Sequence, residues 1–186
     1  EPGMLLGNMI SDFVKGKSQF SYPPPVQRGI VLHRSIDAFT DAHPATQELK
    51  VFFRPAYRLY SGAFADIVYD HFLATDSREF NTPEQLIDFA TGTYELLEKN
   101  SPLFPPPFQR MFPYMQTQDW LSNYRFPEGI QKSFSGLQRR AMYITETNTA
   151  FALFTEHYAA MQDCYQSFFP DVKKFAREQF DLLLKN

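Results

Sequence analysis

The sequence has few of the features that mark secreted, membrane-embedded or nucleic-acid-binding proteins. Its 186 residues include one cysteine, Cys164, so no disulfide can form within the chain, which fits a reducing compartment. No apolar run approaches the ~18 residues of a membrane helix, and no signal-peptide pattern is present. The formal net charge of −3 differs from the positive charge that nucleic-acid-binding domains carry. We therefore expect a cytoplasmic protein with no membrane or nucleic-acid partner.

Two catalytic signatures are also absent from the sequence. It contains neither a glycine-rich phosphate-binding loop nor a Gly-x-Ser-x-Gly elbow, so nucleotide kinase and seryl hydrolase interpretations have no support. Cys164 has no identified activating neighbour, which favours a buried thiol over a nucleophile.

Large apolar side chains are abundant, with 20 phenylalanines and 10 tyrosines in a hydrophobic fraction of 44%. A chain of this length can bury a sizeable core, and we expect one domain over residues 1–186. Apolar residues recur at helical spacing, whereas alternating strands with hairpin turns do not appear. The proline-rich stretch 101–113 predicts short helices or an ordered loop. We predict an all-α single-domain helical bundle, with helices over 4–14, 26–42, 45–57, 62–74, 83–99, 118–125, 128–140, 148–168 and 170–184.

The helix predicted over 26–42 is the first candidate for a chemical site. At about 100° per residue, Val26, Ile30, His33 and Asp37 fall in one narrow sector. A histidine and a carboxylate four residues apart are therefore in line with an apolar stripe. A buried carboxylate is costly unless a cation or several donors satisfy it.

The helix predicted over 62–74 repeats this arrangement. His71 lies near the middle of its apolar arc, and Asp66 and Asp70 lie one turn apart on the adjoining flank. Asp12 interrupts the apolar face of the first helix in a similar way. Imidazole and carboxylate ligands suit divalent ions such as Mn²⁺, Mg²⁺, Fe²⁺ or Zn²⁺, and pairs on two helices can converge on one ion. Such an ion would activate water for phosphoester hydrolysis.

Cations near these residues could bind a phosphate group. Arg34 directly follows His33, and a guanidinium can pair with two phosphate oxygens at once. The further candidates for a positive rim are Arg28, Lys15, Lys17, Arg139 and Arg140.

Each of these residues also has a simpler interpretation. A histidine on an apolar face is more often a hydrogen-bonded core residue than a ligand, and Asp12 would be a solvated surface residue. Arg139 and Arg140 near a helix end would stabilise the helix dipole. The metal interpretation is favoured because two helices each place a histidine and an aspartate against apolar stripes.

Several segments resemble the motifs of one known family. Three of them are jointly specific: Gly7-Asn-Met-Ile-Ser-Asp-Phe-Val-Lys-Gly16, His33-Arg-Ser-Ile-Asp-Ala-Phe-Thr-Asp41 and Asp70-His-Phe-Leu73. Two more support them: Trp120-Leu-Ser-Asn-Tyr-Arg125 and Gly136-Leu-Gln-Arg-Arg140. In this order, over most of the chain, they resemble the acyl carrier protein phosphodiesterase family.

This resemblance implies a fold, an activity and a set of site residues. The family is similar to the HD-domain phosphohydrolases, which are all-helical and metal-dependent, and it implies Mn²⁺, with Mg²⁺ or Fe²⁺ as alternatives. The implied reaction is hydrolysis of the phosphodiester joining 4′-phosphopantetheine to a serine of holo-acyl carrier protein, an acidic partner attracted by local lysines and arginines. The implied metal ligands are Asp12, His33, Asp37, Asp66, Asp70 and His71; the catalytic candidates are Asp12, His33, Arg34, Asp37 and Asp70; and the phosphate candidates are Arg34 and Arg140.

Two features depart from the family pattern. Members usually open with a short segment of the kind Asn-Phe-Leu-Ala-His, whose histidine is a further expected site residue, and this sequence begins after that point. The adjacent pair here reads Asp70-His71, the reverse of the usual HD order. Individual roles as ligand, acid or base therefore stay open.

Two other functions also stay open at the level of sequence. The chain could be a metal phosphohydrolase of the same fold that acts on a nucleotide or another small phosphoester. It could instead be a non-catalytic helical module that binds a carrier protein. The sequence does not indicate an oligomeric state.

Overall fold

A computed structural model describes residues 1–185, which are helical over most of their length and contain no strand. The predicted all-α class is therefore confirmed. The ten α-helices of this part of the chain are α1 Pro2–Ile10, α2 Pro24–Ala42, α3 Pro44–Tyr57, α4 Ser61–Thr75, α5 Pro83–Lys99, α6 Pro106–Thr117, α7 Trp120–Asn123, α8 Pro127–Arg140, α9 Asn148–Glu156 and α10 Tyr158–Lys185. Short 3₁₀ helices lie at Ser11–Phe13, Gly16–Ser21, Arg58–Tyr60 and Ser101–Leu103.

The described chain forms two compact units, each built from separate stretches of sequence. The first unit comprises residues 1–40 and 88–118 together with the chain from 171 onward. The second comprises residues 41–87 and 119–170. Because neither unit is one continuous segment, neither can be excised as a simple fragment. The single domain over 1–186 stays a prediction.

In the first unit, two glycines bring α1 and α2 into backbone contact. A Cβ atom added to Gly7 would overlap the carbonyl oxygen of Val26, and one added to Gly29 would overlap that of Met4. Helices normally pack 8–10 Å apart because their side chains separate them. Glycine at both positions allows the closer approach, and Leu6, Ile10 and Ile30 are fully buried beside it.

The second unit is organised around phenylalanine rings. The Phe64 ring stacks on Phe53 at 5.3 Å between centroids and meets Phe134 edge-on at 5.0 Å. All three side chains are fully buried. Burial of aromatic rings in such edge and stacked contacts supplies much of the hydrophobic stabilisation of a core. This core fixes α3, α4 and α8 around one another.

The first helix ends earlier than its apolar spacing predicts. The spacing predicts helix over 4–14, but α1 ends at Ile10 and a 3₁₀ turn follows. Tertiary contacts explain the difference. Phe13 packs edge-on against Phe108 at 5.4 Å, and the Val14 carbonyl accepts a hydrogen bond from Arg34 rather than from the backbone.

The predicted division of the C-terminal helices is also wrong. The sequence predicts a break between 168 and 170, whereas the chain breaks at His157, and Pro170 lies inside α10. The His157 ring stacks on Phe52 at 4.7 Å, which fixes the chain at the break. Phe168 stacks on Tyr69 at 4.4 Å, so burial favours continued helix before the proline despite the lost backbone donor.

No helix within residues 1–185 is long and apolar enough to cross a membrane.

Candidate metal centre

Asp12, His33 and Asp37 form a cluster of side chains in the first unit. The Nε2 atom of His33 lies 3.2 Å from Oδ1 of Asp12 and 3.1 Å from Oδ2 of Asp37. One ligand atom from each residue lies within 4.8 Å of the other two. The His33 side chain is 23% exposed, and both carboxylates are more exposed, so ions and small solutes can reach the cluster.

Helix geometry and one arginine place these three side chains together. His33 and Asp37 are four residues apart on α2 and therefore share a face. Asp12 lies on the 3₁₀ turn after α1, which the glycine contact brings against α2. Arg34 fixes the chain beyond Asp12, because its guanidinium donates to the Val14 carbonyl at 2.7 Å and to Gln19 Oε1 at 2.5 Å.

The cluster attracts positive charge. Partial burial alone would lower the pKa of His33, but hydrogen bonds to Asp12 and Asp37 and the charges of both carboxylates raise the pKa to about 9. At neutral pH the imidazole is therefore protonated and lies between two carboxylates. Nearby carboxylates repel one another unless a cation lies between them.

The donor set fits a divalent metal ion. Two carboxylate oxygens and one imidazole nitrogen are ligands that Mn²⁺, Fe²⁺, Mg²⁺ and Zn²⁺ accept. Three protein ligands would leave coordination positions for water or substrate, as in catalytic metal sites. The residues present therefore fit the predicted cofactor class.

The second predicted group lies on α4, and its histidine is fully engaged within the second unit. His71 is 2% exposed. Its Nδ1 lies 2.7 Å from the Tyr124 carbonyl and donates to it, so the neutral ring accepts from the Tyr158 hydroxyl, 2.9 Å from Nε2. Burial lowers the pKa of His71, against the opposing effect of the Tyr124 carbonyl. This is the environment of a hydrogen-bonded core histidine, and a metal-ligand role would break one of these two hydrogen bonds.

Asp70 lies beside His71 in sequence but has a different environment. The surrounding protein desolvates its carboxylate and, together with the charge of Asp66, raises the pKa of Asp70 to about 7, against a hydrogen bond from the Tyr124 hydroxyl. The Asp70 and Asp66 side chains still contact solvent. Burial, and then the charge of Asp70, raises the pKa of Tyr124, while the positive charge of Arg140 acts in the opposite direction. Asp66, Asp70, Tyr124 and Arg140 therefore form an electrostatic group of their own.

A family model described as acyl carrier protein phosphodiesterase matches residues 1–172. This chain belongs to that family. All the site residues predicted from the sequence fall within the matched segment. The resemblance that its motifs indicated is thereby confirmed.

Several relatives carry the family's name. A Yersinia pestis protein called acyl carrier protein phosphodiesterase is 30% identical over 175 residues, which are 94% of this chain and 91% of that protein. A protein of the same name from Escherichia coli O157:H7 is 31% identical over 166 residues, covering 89% of this chain and 86% of the relative. No solved structure matches this chain. The likeness to HD-domain phosphohydrolases therefore stays a prediction.

Three contributions to this family member's site were not singled out from the sequence. Gly7 and Gly29 permit the contact that brings Asp12 to His33, and Gln19 is a second anchor for Arg34. The signal for the glycines was present, since an isolated glycine on the apolar face of a helix usually has a packing reason. Gln19 gave no such signal, because its role depends on the fold of the loop.

Proposed function

We propose that this chain hydrolyses the phosphodiester joining 4′-phosphopantetheine to a serine of holo-acyl carrier protein. The proposed cofactor is a divalent ion, with Mn²⁺ as the first candidate. The products are the apo carrier protein and free 4′-phosphopantetheine. The observation that carries the proposal is the cluster of three metal-type ligand atoms within the segment that matches the family model. The cytoplasm stays the proposed location, because Cys164 is a free, buried thiol suited to a reducing compartment.

The proposed metal ligands are Asp12, His33 and Asp37. When bound there, a divalent ion supplies a Lewis acid for the phosphodiester and lowers the pKa of a coordinated water. The two carboxylates hold the positive charge, and His33 provides the nitrogen ligand. His71 is left out of this ligand set, because both of its ring nitrogens are engaged.

Asp70, in the second unit, stays a proposed catalytic residue, and the role that its chemistry suits is that of a general acid. When the bond between phosphorus and the serine oxygen breaks, that oxygen must take up a proton. A carboxyl group with a pKa near 7 carries a proton for part of the time at neutral pH, which supports this role. Asp66 contributes by keeping the pKa of Asp70 high, so its proposed role is indirect.

The two arginine candidates receive different proposed roles. Two nitrogen atoms of Arg34 are used to hold the Asp12 segment, so Arg34 is first a positioning residue. Its remaining N–H groups are available to a phosphate oxygen. Arg140 is exposed at the end of α8 in the second unit, and phosphate binding stays its proposed role.

Mass spectrometry of the carrier protein tests the proposed reaction. After incubation with the Mn²⁺-loaded chain, holo-carrier protein should lose the mass of 4′-phosphopantetheine. A chelator should stop the loss, and added Mn²⁺ should restore it. An intact holo-carrier protein in the presence of Mn²⁺ would refute the substrate assignment.

Two controls separate the proposal from its rivals. A panel of nucleotides and small phosphoesters run beside the carrier protein identifies a phosphohydrolase with another substrate. Elemental analysis of the purified chain, compared with His33→Ala and Asp37→Ala variants, identifies a non-catalytic module, which would hold no metal that depends on these residues.

A further inference from the structure

We propose that the cavity between the end of α3 and the start of α4 is the surface on which the acidic carrier protein docks. This inference rests on the proposed function and adds the location at which the partner is recognised. The cavity has a volume of about 420 Å³, and its lining includes Lys50, Arg54, Arg58 and Leu59. We call these four residues the docking surface. All of them belong to the second unit.

The arginines of the docking surface have cationic groups that remain available to a partner. Asp41 also lines the cavity, but the Lys50 ammonium lies 2.6 Å from its carboxylate and neutralises it. Arg54 makes one long contact, 3.4 Å to the side-chain oxygen of Gln47. Both arginines are exposed. Asp66 is the second acidic residue of the cavity lining, so the lining as a whole, with three cations and two anions, has a net charge of +1.

The backbone at Arg58 is strained, which indicates that the arginine side chain has a function at this position. Its φ of 46° and ψ of −114° lie in a region that side-chain-bearing residues rarely adopt. A glycine would adopt this conformation with less strain. Strained backbone of this kind is found preferentially at functional sites. The turn presents the guanidinium of Arg58 and, next to it, a leucine that is 98% exposed.

The composition of the docking surface matches an acidic protein partner. The formal net charge of this chain is −3, so its overall field does not attract an acidic protein, and recognition needs a local group of cations. Arginine is enriched at protein interfaces, in which a polar rim surrounds an apolar core. Leu59 provides such an apolar contact, since nearly all of its surface is available to a partner.

Charge reversal at the two arginines tests the docking surface. In the full chain, Arg54→Glu with Arg58→Glu should raise the KM for holo-carrier protein about tenfold or more and leave kcat unchanged. Hydrolysis of a small diester, bis(4-nitrophenyl) phosphate, should also be unchanged. Arg110→Glu, which reverses an exposed charge on α6, should change the KM less than twofold. An unchanged KM in the double variant overturns the proposal.

Two single variants separate docking from folding. Arg58→Gly should raise the melting temperature, because it relieves the strained backbone, and should still raise the KM for the carrier protein. Leu59→Ser should leave the melting temperature unchanged, because the side chain makes almost no contact in the free protein, and should weaken carrier binding. A glycine variant that is more stable and has an unchanged KM contradicts the proposal.

Binding of apo-carrier protein distinguishes failure of this inference from failure of the proposed reaction. If the chain does not cleave holo-carrier protein but binds fluorescently labelled apo-carrier protein in a way that the double variant weakens tenfold, the docking surface stands. If cleavage occurs and the double variant binds normally, the surface is refuted and the reaction stands. If millimolar inorganic phosphate displaces the labelled apo-carrier protein as strongly as unlabelled carrier protein does, the cavity is a small-anion site and protein docking is refuted.

Discussion

Helices α2 and α4 each carry a histidine and an aspartate, but the two imidazole rings have opposite surroundings. The Nε2 atom of His33 lies between the carboxylates of Asp12 and Asp37. Both ring nitrogens of His71 are occupied by neutral groups, the Tyr124 carbonyl and the Tyr158 hydroxyl. The pKa is correspondingly raised for His33 and lowered for His71. The same residue types therefore give a charged cluster open to solvent on one helix and a neutral core contact on the other.

The difference teaches that the partners of the ring determine its role, more than its position on an apolar stripe. An imidazole ring whose anionic partners are open to solvent can lose its proton and bind a metal ion in its place. Neutral, buried partners stabilise one neutral tautomer and hold the ring in place. Substitutions on the two helices should therefore affect different measurements.

The largest expected effect is the loss of metal binding and activity in His33→Ala. Removing the nitrogen ligand should lower carrier-protein hydrolysis roughly 10³-fold, or about 4 kcal/mol in activation free energy. Without metal, the variant should be about 1–2 kcal/mol less stable to unfolding than the metal-free parent, because the imidazole is only 23% exposed whereas both carboxylates are largely exposed. Electron paramagnetic resonance of added Mn²⁺ measures the binding directly. His157→Ala, outside both groups, should bind Mn²⁺ normally; equal Mn²⁺ binding by His33→Ala would remove the cluster as the metal site.

The matching substitution on α4 should act on stability instead. His71→Ala leaves a cavity and two polar groups without their partner, so we expect a loss of about 3 kcal/mol in unfolding free energy. Urea denaturation with and without Mn²⁺ measures it. The loss relative to the parent should be the same with and without Mn²⁺, provided that parent and variant bind Mn²⁺ to the same extent. A variant that keeps its stability and loses Mn²⁺ binding would show that His71 is a ligand after all.

A third substitution tests how the first cluster is assembled. Gly29→Ala would place a methyl group against the Met4 carbonyl and should cost about 2 kcal/mol of stability while moving Asp12 away from His33. Weaker Mn²⁺ binding should accompany the lower stability. Gly92→Ala on α5 is the matched control, because its added methyl group meets no atom within 4 Å. That variant should gain about 0.5–1 kcal/mol from helix propensity and bind Mn²⁺ normally.

The helices and the residue pairs within them could be predicted from the sequence, because both follow the helical period. The predicted boundaries of the helix over 83–99 agree with those of α5, and the His33–Asp37 pair needs only one helical turn. The partners of His71 could not be predicted, since Tyr124 and Tyr158 are 53 and 87 residues away along the chain. The α9–α10 break depends in the same way on a distant ring, Phe52. Contacts between remote segments therefore decided what local patterns left open.

The smallest expected effect is a pH-dependent one, and it compares two carboxylates at α4. The pKa of Asp70 is raised to about 7 by desolvation and by the charge of Asp66. Between pH 4 and about 7 the folded state therefore keeps a proton that the unfolded state has lost. The stability of the folded state falls as the pH rises through this range. Asp70→Asn should therefore melt about 2 °C or more above the parent at pH 8, with no difference at pH 4. Asp76 gives the opposite sign, because hydrogen bonds from Arg78 and Tyr165 hold its pKa at about 2 against partial burial. Asp76→Asn should melt below the parent at neutral pH, and the difference should disappear as the pH falls from 4 toward 2. Melting curves of both variants and the parent from pH 2 to pH 8 test this comparison. If the two substitutions change the melting temperature in the same direction, the environments of the two carboxylates do not differ as described.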